Sequence, residues 1–322
     1  MVMALLVPHI ACDASARQNE NNGGRNDGGG DNDGVQIRRI LPSDTDQRIR
    51  NYNGEGWFHW VYRAPGVPDK GKIVVFLAGT NGKGRPPEDF SKMAAKEGFP
   101  VLGVAYPSLV SISVLDDARN PAAFARARNN IINAGTPIGR FRTEQPDCIQ
   151  SRLHHLVHFL AERQPGEGWE KYLTPNGEID WSRLILVGQS QGGGHALFMA
   201  MEHPVERVLM FGAPKDFNKF HHEPAAWYRR PMATSLNRLF SYVHSQDRQG
   251  CSYPEQLENY RAIGLLPKYR IVNADESQPS YGGTRLFTST RSFQTSEEAH
   301  GYPLFNAVNK PVWKYMLETP VE

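Results

Sequence analysis

The sequence predicts an α/β fold, a mostly parallel sheet covered by helices. Three observations carry this: apolar runs of strand length recur along the 322 residues, segments of helical periodicity separate them, and the runs are apolar on both faces. Residues 56–63 open the series with Trp57-Phe58-His59-Trp60-Val61-Tyr62, and 72–78 follow with Ile73-Val74-Val75-Phe76-Leu77. A helix is predicted over 88–98 and a strand over 100–106, built on Val101-Leu102-Gly103-Val104. After a long insertion, 148–163 carries Ile149, Leu153, Leu156, Val157 and Leu160, the spacing of one helix face. Leu184-Ile185-Leu186-Val187 reads as a buried strand and 195–202 as a helix. Residues 207–211, 239–244 and 285–290 read as further strands, with a closing helix over 311–317.

Composition narrows the classes. Apolar residues at 39% and charged residues at 22% match an ordinary globular protein, and the length allows one large domain or two modest ones. Thirty-six Lys+Arg against 34 Asp+Glu, with no block of like charge, supply no drive toward a phosphate backbone, so nucleic acid is not an expected partner. No stretch reaches the 18 or so apolar residues that span a bilayer. Cys12, Cys148 and Cys251 form no C-x-x-C pair and cannot build a four-thiolate zinc site.

The chain is expected to divide into a leader, 1–34, and a catalytic domain, 35–322. Met1 to Ala11 is apolar and Ala14-Ser15-Ala16 has the small-x-small form of an export cleavage site, although a basic n-region is missing and Pro8-His9 interrupts the run. The protein is therefore read as secreted or periplasmic, with a frayed cytosolic N-terminus as the other reading. Residues 13–34 hold six Gly, five Asn and four Asp and almost nothing whose burial could offset the backbone entropy of ordering, so they are expected to be disordered.

Gly188-Gln189-Ser190-Gln191-Gly192 fits G-x-S-x-G, a weak pattern by itself that its setting sharpens. Four apolar residues end at Val187 and a helix begins just after, which is the strand, sharp turn and helix of a nucleophile elbow. Ser190 would sit in a strained conformation that only small neighbours permit, hence Gly188, Gly192 and Gly193.

A serine hydroxyl needs a base within hydrogen-bond reach, usually an imidazole oriented by a carboxylate. In this kind of sheet the partners follow as acid and then His, and His300 lies beyond the last expected strand. Asp247, in the exit loop of 239–244, is the expected acid; Asp216 is the runner-up, and Asp275 and Glu276 come third. Two amides should meet the developing oxyanion, those of Gln191 and Thr80, the latter in the Gly79-Thr80-Asn81-Gly82 loop. The same loop, read through Gly84, resembles over six residues the ATP loop of folylpolyglutamate synthases. Arg85-Pro86-Pro87 stands where the magnesium-holding Ser or Thr is required, which argues against nucleotide binding.

On Ser190, Asp247 and His300, the chain from about residue 55 onward resembles the α/β-hydrolase superfamily. More closely, Gln189-Ser190-Gln191-Gly192-Gly193-Gly194-His195-Ala196, Pro224-Ala225-Ala226-Trp227 and Ala299-His300-Gly301 resemble a group of often exported bacterial α/β hydrolases. The resemblance implies a carboxylic ester hydrolase using no metal or organic cofactor, acting on a small-molecule or polymeric ester. An amidase or peptidase with the same triad and a non-catalytic scaffold remain as alternatives. Gly79-Thr80 departs from the His-Gly that many esterases carry there. Two long insertions, 107–141 and 216–237, are expected to overhang the site, with Asn81, Phe217, Trp227 and Tyr228 as substrate contacts and Phe220 beside them. A Cys148–Cys251 disulfide is left open as a hypothesis for the case that the protein is exported.

Overall fold

The computed structural model describes residues 33–51 and 56–321, so the apolar start, Cys12 and the leader as far as residue 32 lie outside the described residues. In chain order the elements are β1 (Gln36–Ile40), α1 (Pro42–Thr45), β2 (His59–Arg63), β3 (Ile73–Leu77), α2 (Glu88–Lys96), β4 (Val101–Val104), α3 (Ala123–Asn133) and α4 (Ile149–Arg163). Then come β5 (Leu184–Gln189), α5 (Gln191–Glu202), β6 (Arg207–Phe211), β7 (Phe217–Asn218), β8 (Glu223–Pro224) and β9 (Leu239–His244). The chain closes with α6 (Tyr253–Ile263), β10 (Ile271–Asn273), β11 (Leu286–Ser289), α7 (Ser296–Phe305) and α8 (Lys310–Glu318).

Nine strands form one sheet in the order β1-β2-β4-β3-β5-β6-β9-β11-β10, while β7 and β8 make a separate small hairpin. Only β2 runs against its neighbours; from β4 through to β10 all pairs are parallel. The strands are apolar on both faces because each face has its own core. On β3, Val74 and Phe76 pack with Phe90 of α2, Leu304 of α7 and Trp313 of α8. Val75 and Leu77 turn the other way, toward Phe124 of α3, Leu153 of α4, Leu197 of α5 and Tyr260 of α6. Each such side chain, when fully buried, contributes roughly 1.5–3 kcal/mol. The result is an α/β-hydrolase fold, as the resemblance implies.

The edge strands escape the periodicity because they are half solvated. Most of β1 is exposed or half-buried, and β10 is three residues long. Since β10 precedes β11, Leu239–His244 lies two strands before the last along the chain. The elbow helix also begins at Gln191, four residues before the expected start, so the glycine run belongs to its first turn. Among the described residues, no helix is long and apolar enough to cross a membrane.

Candidate active site

In a parallel sheet the strand C-termini share one edge, and ligands bind where connections diverge along it. The loops after β3, β5, β6 and β9 leave from that edge and carry Thr80, Ser190, Lys215 and Asp247 in turn. Ser190 stands between β5 and α5 with φ 55° and ψ −121°, a conformation that costs a non-glycine residue about 1–3 kcal/mol. The surroundings impose it. Ser190 N–H donates to the Phe211 carbonyl at 2.8 Å, and its own carbonyl accepts from Gly193 at 3.0 Å. A Cβ on Gly188 would strike the backbone of Gly192, and one on Gly192 would strike the Leu77 carbonyl, so the turn closes only on glycine.

His300 does not lie in a loop. It sits in α7, whose start is secured by a capping box: Thr295 Oγ1 accepts from Glu298 N–H at 3.2 Å, while the Glu298 carboxylate accepts from Thr295 N–H at 3.0 Å. The imidazole lies over Gly212, where a Cβ would come within 2.6 Å of its ring. Nδ1 is 2.7 Å from Asp247 Oδ2, a carboxyl with no exposed surface. Donation to a carboxylate assigns the proton to Nδ1 and leaves Nε2 as an acceptor. Nε2 is held by the Gln189 carboxamide, whose Nε2 donates to it at 2.9 Å. Ser190 and His300 line the same cavity of about 410 Å³, with no hydrogen bond between them.

Sequence reasoning missed Lys215. Its buried ammonium reaches both Asp247 oxygens, at 3.1 and 3.2 Å, and lies 3.5 Å from His300 Nδ1. No local pattern marks it; only its place four residues past β6, on the active edge, hints at a role. Burial lowers the Lys215 pKa and Asp247 opposes that effect. For Asp247, burial raises the pKa, but the bond from His300 and the charges of Lys215 and His300 outweigh it, and the carboxyl lies below its ordinary value. For His300, burial lowers the pKa most, the Asp247 bond raises it, and Lys215 lowers it again; the net is below the ordinary 6.5.

Asp216 is engaged elsewhere. Its carboxylate takes two hydrogen bonds from buried Arg128, one of them at 2.6 Å, and another from Trp227 Nε1 at 2.9 Å. Arg128 in turn donates to the Gln191 carbonyl at 3.2 Å, so this pair braces the elbow helix. Asp275 accepts from Ser289, Thr290 and Tyr302. The Gln191 side chain ties the two loops together: its Oε1 accepts from Thr80 Oγ1 at 3.1 Å and from Ile112 N–H at 2.7 Å. Neither the Thr80 nor the Gln191 backbone N–H donates to any described residue, so both are available to a ligand oxygen.

The expected substrate contacts fall away from this cavity. Trp227 and Tyr228 are buried in the core against α5, where Trp227 meets Phe198 at 5.2 Å between ring centroids. Phe217 is buried in β7, and neither it nor Asn81 is among the lining residues; Phe220 is exposed. Bulky aromatics in a long insertion are read more safely as anchors packed into the main core than as pocket walls. What the first insertion does bring to the cavity is 111–116, with Ser111, Ser113 and Asp116. The Asp116 pKa is raised to about 7, mainly by burial and against the pull of Lys219. Cys148 and Cys251 stand as free, buried thiols, with no bridge between them. The Gly79–Gly84 loop leads into α2, whose first turn holds Glu88 and Asp89, charges that repel rather than cradle a phosphate. Among the described residues no cluster of three His, Cys, Asp or Glu side chains is arranged to hold a metal ion.

No family model and no curated protein matches the chain. Among solved structures, a double mutant of the esterase E40 is similar at 14% identity and a TM-score of 0.41, over 88% of this chain and 83% of its own. TT1662 from Thermus thermophilus is similar at the same identity and TM-score, over 88% of this chain and 96% of its own.

Proposed function

We propose that residues 35–322 form a serine hydrolase domain that cleaves carboxylic esters through an acyl-enzyme on Ser190. One observation carries the reading: a serine held in a strained elbow opens into a cavity that is also lined by a histidine whose Nδ1 is fixed by a buried carboxylate. Strain of this kind persists where the surroundings over-determine it, and active sites are where it collects. The 2.9 Å bond from Gln189 to His300 Nε2 is compatible with the role, since catalytic hydrogen bonds often form only once substrate is bound.

The steps follow from the atoms present. Substrate displaces the Gln189 amide, and His300 Nε2 accepts the Ser190 proton as Oγ bonds to the acyl carbon. The carbonyl oxygen takes up the negative charge, which the Gln191 and Thr80 N–H groups receive. Asp247 stabilises the imidazolium through Nδ1–H. The Nε2 proton then passes to the departing alkoxide as the C–O bond breaks, and water repeats the sequence to release the acid and restore Ser190. No step calls on a metal or organic cofactor.

The decisive test is covalent labelling with a nitrophenyl organophosphonate. One equivalent should add to the native protein, on the peptide containing Ser190; intact protein with no adduct there would falsify the enzyme reading.

A pH profile tests the base. The imidazole must be neutral to accept the proton, so kcat/KM falls as pH drops through its pKa, which lies below 6.5. Lys215→Met removes a cation beside Nδ1 and leaves the Asp247 charge unopposed; both changes favour the imidazolium. The acid limb should therefore move up by about 1–2 pH units, and Lys215→Arg should hold it near its original place. Superimposable limbs in wild type and Lys215→Met would remove Lys215 from any part in setting the basicity of His300.

A further inference from the structure

We propose that this cavity selects esters with a short acyl group on an uncharged, hydroxyl-rich alcohol, the class of an acetylated saccharide. The inference rests on the acyl-enzyme reading of Ser190 and concerns what surrounds it. At about 410 Å³ the cavity has room for a small ester, and the residues that line it are mostly polar, although nearly half of the surface they present is carbon. Around Ser190 stand the hydroxyls of Thr80, Ser111 and Ser113 and the carboxamides of Gln189 and Gln249. Ile112 is the single large apolar residue of the wall; it is 6% exposed and packs into the core beneath.

An acyl chain improves binding only by burying its methylenes against apolar surface. Here the carbon surface belongs mostly to the stems of polar side chains, so a longer chain would also strip water from hydroxyls and amides that it cannot replace as a partner. Sugar hydroxyls, each both donor and acceptor, can meet those groups.

Charge narrows the class further. Lys215 is the one cation in the lining other than what His300 can become, and both Asp247 oxygens already engage it. Glu297 and Asp116 are the acids of the wall, Asp116 lying 3.4 Å from Lys219, so an anionic alcohol meets the Glu297 charge and no unengaged cation in the lining. Asp116, with its pKa near 7, also offers a donor as well as an acceptor close to neutrality. Leu109 and Val114 are exposed on the same segment as Ser111 and Ser113, but they lie outside the lining. If they received an acyl chain, long esters would be preferred.

Rates on nitrophenyl acetate and octanoate, and on 3-O-acetylglucose, 3-O-acetylglucuronate and ethyl acetate, read each part. The expected result is kcat/KM about tenfold or more in favour of acetate over octanoate, of the acetylated sugar over ethyl acetate, and of the neutral over the acidic sugar. Ser113→Leu, which adds an apolar side chain to the wall, should narrow the first ratio. Octanoate equal to or better than acetate, or ethyl acetate equal to the sugar ester, overturns the substrate class. If the organophosphonate still labels Ser190, that failure leaves the acyl-enzyme reading intact. If neither hydrolysis nor labelling is seen, both fall together.

Discussion

Ser190→Ala lowers kcat/KM for nitrophenyl acetate by about 10⁴-fold or more, since the hydroxyl proposed as the nucleophile is gone. His300→Ala has an effect of the same order. The double variant is little worse than either single one, because nucleophile and base act as a unit and neither contributes without the other. What separates this from collapse of the fold is stability. Alanine at φ 55° is strained much as serine is, so Ser190→Ala should unfold in urea within about 1 kcal/mol of wild type. Activity within tenfold of wild type in either single variant would refute the assignment.

Asp247→Asn is the second large effect, a loss of about 10³–10⁴-fold. The asparagine can donate its amide to Nδ1, which favours the tautomer with the proton on Nε2 and removes the acceptor that Ser190 needs. The substitution also strands Lys215, whose buried ammonium loses the charge it faces. Asp216→Asn tests the competing acid and should behave in the opposite way. It breaks the buried pair with Arg128 and lowers stability by about 3–5 kcal/mol, as loss of one partner of a buried ion pair does. The folded fraction should keep its activity to within about tenfold, because Asp216 touches neither Ser190 nor His300. The reverse pattern, a stable and inactive Asp216→Asn beside an active Asp247→Asn, would move the acid to the loop after β6.

Much of this was legible in the sequence, for reasons that differ by region. The inner strands announce themselves because two cores demand apolar residues on both faces: Ile73–Leu77, Arg207–Phe211 and Leu239–His244 are all buried. The edges β1 and β10 touch both cores only through one residue each, the rest of β1 being half-buried or exposed and β10 being three residues long, and they leave no such trace. Helices α6 and α7 carried a readable signal that periodicity alone overlooks, since Ser252 with Glu255 and Thr295 with Glu298 are capping boxes.

At the site, the glycines around Ser190 are visible because backbone approach forbids a side chain, a local constraint that composition records. Lys215 was invisible because its meaning depends on Asp247, 32 residues away and on the next loop along the same edge. The aromatic residues of 217–228 misled for a related cause: bulk in an insertion indicates burial, and nothing local says whether a ligand or the protein itself supplies the covering atoms.

The carboxamide of Gln189 has a kinetic consequence. In the proposed mechanism the lone pair that must collect a proton is the one the Gln189 amide engages, so the two compete for it. Freeing it is work drawn from ligand contacts remote from the scissile bond. Esters that grip the wall poorly should therefore turn over slowly even at saturation, a deficit in kcat and not merely in apparent affinity.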